Sequence, residues 1–189
     1  TMILAGHETT AITLFWSLYL LALDPAVQEQ VAAEAKTAAA GGAPDLERLK
    51  FTRAVIDESL RLYPPAFLIA RAATAPDTVA GLPVRKGDVI MIAPWLLHRH
   101  EKRWQQPAAF IPQRFMPPSP APDRFAYLPF GAGPRVCIGA HFALVEATLA
   151  LAKLIGAFRV ALQDNTPVMP LGVVTTQPDH SPLFVIKPR

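Results

Sequence analysis

The sequence predicts a mainly helical protein with small β-sheets, an α+β fold, and three observations carry that prediction. Long apolar stretches of helix-forming residues occupy 1–23 and the run opened by Cys137-Ile138-Gly139, which continues to about Ala157. Between them, Leu68 to Ala93 sets β-branched residues between turn signals. Prolines number 20 among 189 residues, well above the usual level of about 5% and too many for a plain helical bundle.

Each element follows from local chemistry. Residues 1–23 are helical in content without a clean amphipathic stripe, which predicts a central helix buried on most sides. Asp24 suits an N-cap and Pro25 the first helical position, so 25–39, rich in Ala, Glu, Gln and Val, form a second and more exposed helix. Gly41-Gly42-Ala43-Pro44 breaks it. A turn at Asp45 to Leu49 leads to a third helix from about Thr52 to Tyr63, which Pro64-Pro65 stops because a residue before proline avoids the helical region. Ile69, Val79, Val84, Val89, Ile90 and Ile92, punctuated by Gly81-Leu82-Pro83 and Lys86-Gly87-Asp88, read as short strands that include a hairpin. Residues 94–129 form a long proline-rich meander, and a loop of that length in a compact domain is usually functional. Phe158 to Leu162, Val173 to Thr176 and Leu183 to Ile186 read as closing strands.

Composition excludes several classes. The net charge of +3 is small and scattered, which argues against a nucleic-acid surface. One cysteine rules out a disulfide framework and a Cys-rich zinc module. No stretch resembles a targeting signal, and the uncharged run Thr9 to Leu23 is shorter than the roughly 18 residues of a membrane span. A cytoplasmic protein with no membrane segment in this piece is the expectation. Thr1 is not an initiator and the pattern is already helical there, so the chain reads as part of something longer.

Three clusters could carry chemistry. His7-Glu8-Thr9-Thr10-Ala11 begins like a zinc-protease helix, but Ala11 stands where the second histidine is required. What remains, Ala5-Gly6-His7-Glu8-Thr9-Thr10, sets a small pair, an acid and two hydroxyls in an apolar helix. The glycine costs about 1 kcal/mol there relative to alanine, which close approach of a flat ligand would explain; a packing glycine beside solvated polar residues is the alternative. Thr9 can bond back to the preceding turn or, where the helix widens, to a ligand. Glu58-Ser59-Leu60-Arg61 puts a carboxylate and a guanidinium on one helix face. Surface pairs of that kind are common, yet Val55, Ile56, Leu60, Leu62 and Tyr63 point to burial and so to a third partner. In Phe130-Gly131-Ala132-Gly133-Pro134-Arg135-Val136-Cys137-Ile138-Gly139, the cysteine precedes a helix, whose free amides favour an anionic sulfur. The glycines admit close backbone approach and Arg135 adds a fixed cation, the setting of a metal-ligating thiolate beside an anionic cofactor. A hydrolase nucleophile would need a histidine base, for which His141 is the nearby candidate.

These elements, with Pro112-Gln113-Arg114-Phe115, resemble in order and spacing the signatures of the cytochrome P-450 family of heme-thiolate monooxygenases. The resemblance covers essentially the whole chain, with the ten-residue cysteine loop its most specific part. It implies the C-terminal half of that fold, with residues 1–189 part of a single catalytic domain whose N-terminal half lies elsewhere. It implies heme b, with Cys137 as axial ligand to iron, Phe130 near the sulfur, and Gly131, Gly139, Ala5 and Gly6 close to the cofactor. Arg135, Arg71 and His98 would meet the heme propionates. Glu8 and Thr9 would relay protons on the distal side, and Glu58, Arg61 and Arg114 would form a structural ion-pair network. Gln113 departs mildly from the family, which more often has an acid there. Leu4, Ala5, Pro65, Ala66, Phe67, Leu68 and Ile69 would face the substrate. The implied partners are O2, a lipophilic small molecule and a ferredoxin or flavoprotein reductase, for which Arg124 and the neighbours of Arg135 are candidate docking charges. The alternatives are a non-catalytic remnant that binds heme poorly and a heme-binding electron carrier.

Overall fold

A computed structural model describes residues 2–39 and 45–189, and the side chains of residues 2–5 lie outside that description. Four helices form the body: α1 (Met2–Leu23), α2 (Pro25–Ala38), α3 (Lys50–Leu62) and, after the meander, α5 (Ala140–Ala157). Their boundaries follow the expected signals. Asp24 caps α2, its Oδ1 accepting the Val27 N–H at 3.0 Å, with Pro25 behind it. The last helix starts at Ala140, three residues beyond Cys137, because 137–139 are taken up by the loop before it. In the meander, α4 (Pro94–Leu97) and a 3-10 turn at Pro112–Phe115 are the ordered pieces.

The helices bury one apolar cluster among them, including Leu21, Val31, Val55, Ile56, Leu151 and Ile155. α2 and α5 approach closely at Gly156, where a Cβ would come within 3.2 Å of the Ala35 Cβ, so a side chain there would push the helices apart. α5 is long and apolar enough to cross a membrane, but Ala147, Leu151, Ala152 and Ile155 are buried in this core. A second cluster around Trp16 joins α1 to the closing strands. There the Trp16 ring stacks on Tyr63 at 3.9 Å and its Nε1–H donates to the Thr176 carbonyl at 2.8 Å.

Among the described residues the strands form four separate two-stranded antiparallel sheets. β1 (Ile69–Ala72) pairs with β4 (Val89–Ile92), and β2 (Asp77–Val79) with β3 (Leu82–Val84). β5 (Phe158–Leu162) pairs with β8 (Phe184–Pro188), and β6 (Pro170–Gly172) with β7 (Thr176–Pro178). The expected strand at Val173 to Thr176 is a correction: Val173 to Thr175 make the turn between β6 and β7, with Val173 and Val174 exposed. β-branched residues suggested a strand, but the neighbouring sequences pair with each other and leave these three at the bend.

Candidate functional site

The loop around Cys137 is held by its own backbone. A 3-10 turn at Gly133–Arg135 lies inside it, and Gly131 and Gly133 take φ values of 74° and 73°, which side chains disfavour. The Cys137 N–H donates to the Phe130 carbonyl at 3.0 Å, and the Gly131 N–H to the Leu128 carbonyl at 3.2 Å. A Cβ on Gly131 would touch Ile69 Cδ1 at 3.8 Å, so this loop lies against β1. Phe130 is half-buried and packs on the helical core, which anchors the start of the loop.

Cys137 is exposed, and so are Arg135, Val136, Ile138 and Phe142 near it in the chain, Ile138 at 93% and Phe142 at 70%. Exposed apolar residues along the chain beside a free cysteine form a hydrophobic surface suited to binding. Among the described residues no group of three or more His, Cys, Asp and Glu could hold a metal ion. A single sulfur donor leaves the other positions on a metal to further ligands, a donor set that fits a heme iron better than a zinc site.

Glu8 and Thr9 are half-buried on α1. α1 is an unbroken α-helix here, and the Thr13 hydroxyl donates to the Thr9 carbonyl at 2.8 Å, so of the two arrangements open to this turn the helix is the unwidened one. Glu8 Oε1 accepts from the Thr175 hydroxyl at 2.8 Å and from Gln177 Nε2 at 2.9 Å. Thr175 and Gln177 are functional candidates that sequence reasoning missed. They lie more than 160 positions from Glu8, and no local pattern marks them.

Of the residues expected to face substrate, Pro65 is buried, with its carbonyl accepting the Thr176 N–H at 3.2 Å. Ala66 and Leu68 are exposed, while Phe67 and Ile69 are half-buried. Phe67 lines a crevice of about 250 Å³ with Trp95, Pro170, Gly172 and Thr176. Its ring sits where a Cβ on Gly172 would come within 2.9 Å, so a side chain there would displace the Phe67 ring from the crevice wall. Leu4 and the Ala5 side chain lie outside the described residues. Gly6 is exposed, with open space where a Cβ would point.

The ion-pair network is buried and complete. Arg61 Nε and Nη2 donate to the two Glu58 oxygens at 2.7 and 2.8 Å, and neither side chain is exposed. The third partner expected from burial is Arg114, whose Nε lies 3.2 Å from Glu58 Oε1. Arg61 also donates to the carbonyls of His98, Pro107 and Ala109, pinning the meander to α3. The Ile111 N–H donates to Glu58 Oε1 at 2.8 Å.

His98 is placed differently from the expectation of a propionate partner. It is fully buried, with Nδ1 3.2 Å from the Arg61 carbonyl and Nε2 accepting the Leu128 N–H at 2.8 Å. With both ring nitrogens engaged by backbone, neither is left for an outside anion. Burial pushes its pKa down to about 4, with the Arg61 and Arg99 charges adding to the effect. Burial likewise lowers Arg99 to about 10, its guanidinium lying 3.6 Å from the Trp95 ring centroid. Arg71 is exposed on β1 and donates to the Ala70 carbonyl at 2.8 Å.

Comparison with known proteins agrees with this architecture. The family described as Cytochrome P450 matches residues 1–184. "Protein LUTEIN DEFICIENT 5, chloroplastic" of Arabidopsis thaliana is 38% identical over 174 residues, covering 88% of this chain and 29% of that protein. "Cyclooctatin synthase" of Streptomyces melanosporofaciens is 38% identical over 174 residues, covering 90% and 38%. "Cytokinin hydroxylase" of Arabidopsis thaliana is 39% identical over 193 residues, covering 100% and 38%. The chain thus spans roughly a third of the length of these relatives, and it is a member of the cytochrome P450 family.

Proposed function

We propose that this chain is the C-terminal part of the catalytic domain of a heme-thiolate monooxygenase. The reaction inserts one oxygen atom of O2 into a C–H bond of a lipophilic substrate and releases the other as water, consuming two electrons and two protons. The observation that carries this reading is the chain's sole cysteine, exposed at the end of a glycine-shaped loop beside apolar residues and Arg135.

Heme b, when bound, supplies the redox chemistry at its iron, and Cys137 is the residue that would ligate it. The backbone N–H of Cys137 is engaged by Phe130, which holds the sulfur's own residue in place. Arg135 and Arg71, both exposed, are the cations that would meet the propionates. Glu8 and Thr9 would hold and deliver protons for the reaction, with Thr175 and Gln177 orienting the Glu8 carboxylate. Phe67, Leu68 and Ile69 would offer apolar surface to substrate. Electrons would come from a ferredoxin or flavoprotein reductase, the acid and Thr pair favouring this reading over that of an electron carrier, which needs no proton delivery.

The test is the spectrum of the reduced, carbon monoxide-bound full-length protein. A strongly red-shifted Soret band is expected, and Cys137→Ala abolishes it; a band that survives the substitution removes the ligand assignment, and failure to take up heme supports a non-catalytic remnant. Thr9→Ala in the full-length enzyme is expected to lower product formed per reductant consumed, since positioned proton transfer contributes about 10²–10⁴-fold to the step it serves. Unchanged coupling would count against Thr9 as a relay.

A further inference from the structure

Arg61 and His98 are bonded to each other twice. Arg61 Nη1 donates to the His98 carbonyl at 2.8 Å, and the His98 ring returns through Nδ1 to the Arg61 carbonyl at 3.2 Å. The far side of the same ring accepts the Leu128 N–H at 2.8 Å. A carbonyl can only accept and an amide N–H can only donate. The two neighbours therefore dictate a neutral ring protonated on Nδ1 and bare on Nε2. From Leu128 the chain runs directly into the cysteine loop: the Leu128 carbonyl accepts the Gly131 N–H, and two residues on, the Phe130 carbonyl accepts the Cys137 N–H.

We infer that His98 is a positioning residue for Cys137: its neutral imidazole ties α3 to the segment leading into the cysteine loop, and its protonation releases that segment. Resting on the proposed heme-thiolate function, this inference gives the site an acid-sensitive support remote from the sulfur.

The surroundings leave a protonated ring unsupported. α3 presents Arg61, whose partner Glu58 is already bonded by Arg61, Arg114 and the Ile111 N–H. Asp57, also on α3, accepts from the Tyr127 hydroxyl at 3.2 Å and pairs with Arg53. The meander contributes Arg99 and Tyr127, whose ring centroid lies 5.2 Å from that of His98. Among the described residues no carboxylate bonds the imidazole, and a second ring proton would point at the Leu128 N–H. His98 lies well below the ordinary histidine value, at about 4. An opened segment would take up a proton that the closed one refuses, so closure weakens as pH falls from about 6.5 towards 4.

The experiment uses the heme-loaded full-length protein and follows the thiolate fraction of the reduced carbon monoxide complex against pH. The wild type is expected to keep the thiolate band at pH 7 and lose it through one protonation step below about pH 6.5. His98→Phe keeps the ring's bulk but not its bonds, and is expected to lose several-fold of the thiolate fraction already at pH 7. His98→Gln offers a donor and an acceptor but does not titrate; it is expected to restore the band at pH 7 and to shift the acid midpoint by about one pH unit or more. Acid midpoints and pH 7 fractions identical in all three proteins would overturn the inference. Hydrogen exchange in wild-type peptides covering 124–138, corrected for intrinsic pH dependence, gives a readout that needs no variant. Protection lost together with the thiolate band supports the release, and protection unchanged across that window overturns it. A wild type lacking the band at pH 7 defeats the ligand assignment instead, and the exchange data still decide the role of His98.

Discussion

Arg61→Met lowers the unfolding free energy by about 3–5 kcal/mol, the range for stranding one member of a buried ion pair. Glu58 is wholly buried and takes two charged bonds from Arg61. Arg114, at 3.2 Å from a single oxygen and partly exposed, makes one longer bond where Arg61 makes two. The same substitution also strips the donor from three meander carbonyls. Urea unfolding of wild type and variant measures the difference, and Glu58→Gln/Arg61→Met should recover part of it by removing the stranded charge. A single-variant loss below about 1 kcal/mol would place the pair among exposed ones, whose contribution is that small.

Gln28→Leu is expected to cost about 3 kcal/mol, because each buried backbone group left without a partner costs about 1–3 kcal/mol and three are affected. The Gln28 amide donates to the carbonyls of Leu21 and Val160 and accepts the Val160 N–H, all within 2.9 Å. One side chain on α2 thus serves the end of α1 and the outer edge of β5 together. Leucine fills the space but bonds none of these groups. Unfolding measurements check the magnitude, and hydrogen exchange at Val160 should accelerate in the variant; a protected Val160 amide would mean that another group has taken over.

What the sequence made legible was local. Asp24-Pro25 marked the second helix, the apolar neighbours of Glu58 and Arg61 marked a buried pair, and the glycines around Cys137 marked a loop of close backbone approach. What stayed hidden depends on residues distant in the chain. Gln28 looks like a surface glutamine in a polar helix until Val160, 132 positions away, is brought to it. Thr175 and Gln177 acquire meaning only when the β6–β7 turn reaches Glu8. His98 shows the limit from the other side: its residue type suited an anion partner, but burial between Arg61 and Leu128 committed both nitrogens to backbone. Val173 to Thr175 failed as a strand for a similar reason, since pairing of β6 with β7 decides where the bend falls.

The division of the strands into four unconnected pairs sets a gradient of rigidity across the protein. A two-stranded ribbon is marginal by itself and borrows its stability from what it packs against, as β5 does through Val160, whereas the helices supply most of the largest apolar cluster. Local opening therefore costs least in the ribbons and most in the helices. Leu68 and Ile69, beside and at the start of β1, and Val173 and Val174, at the β6–β7 bend, ride on the softer parts, while Cys137 stands three residues before the long helix α5. The ribbons can therefore open locally without unfolding the helical interior.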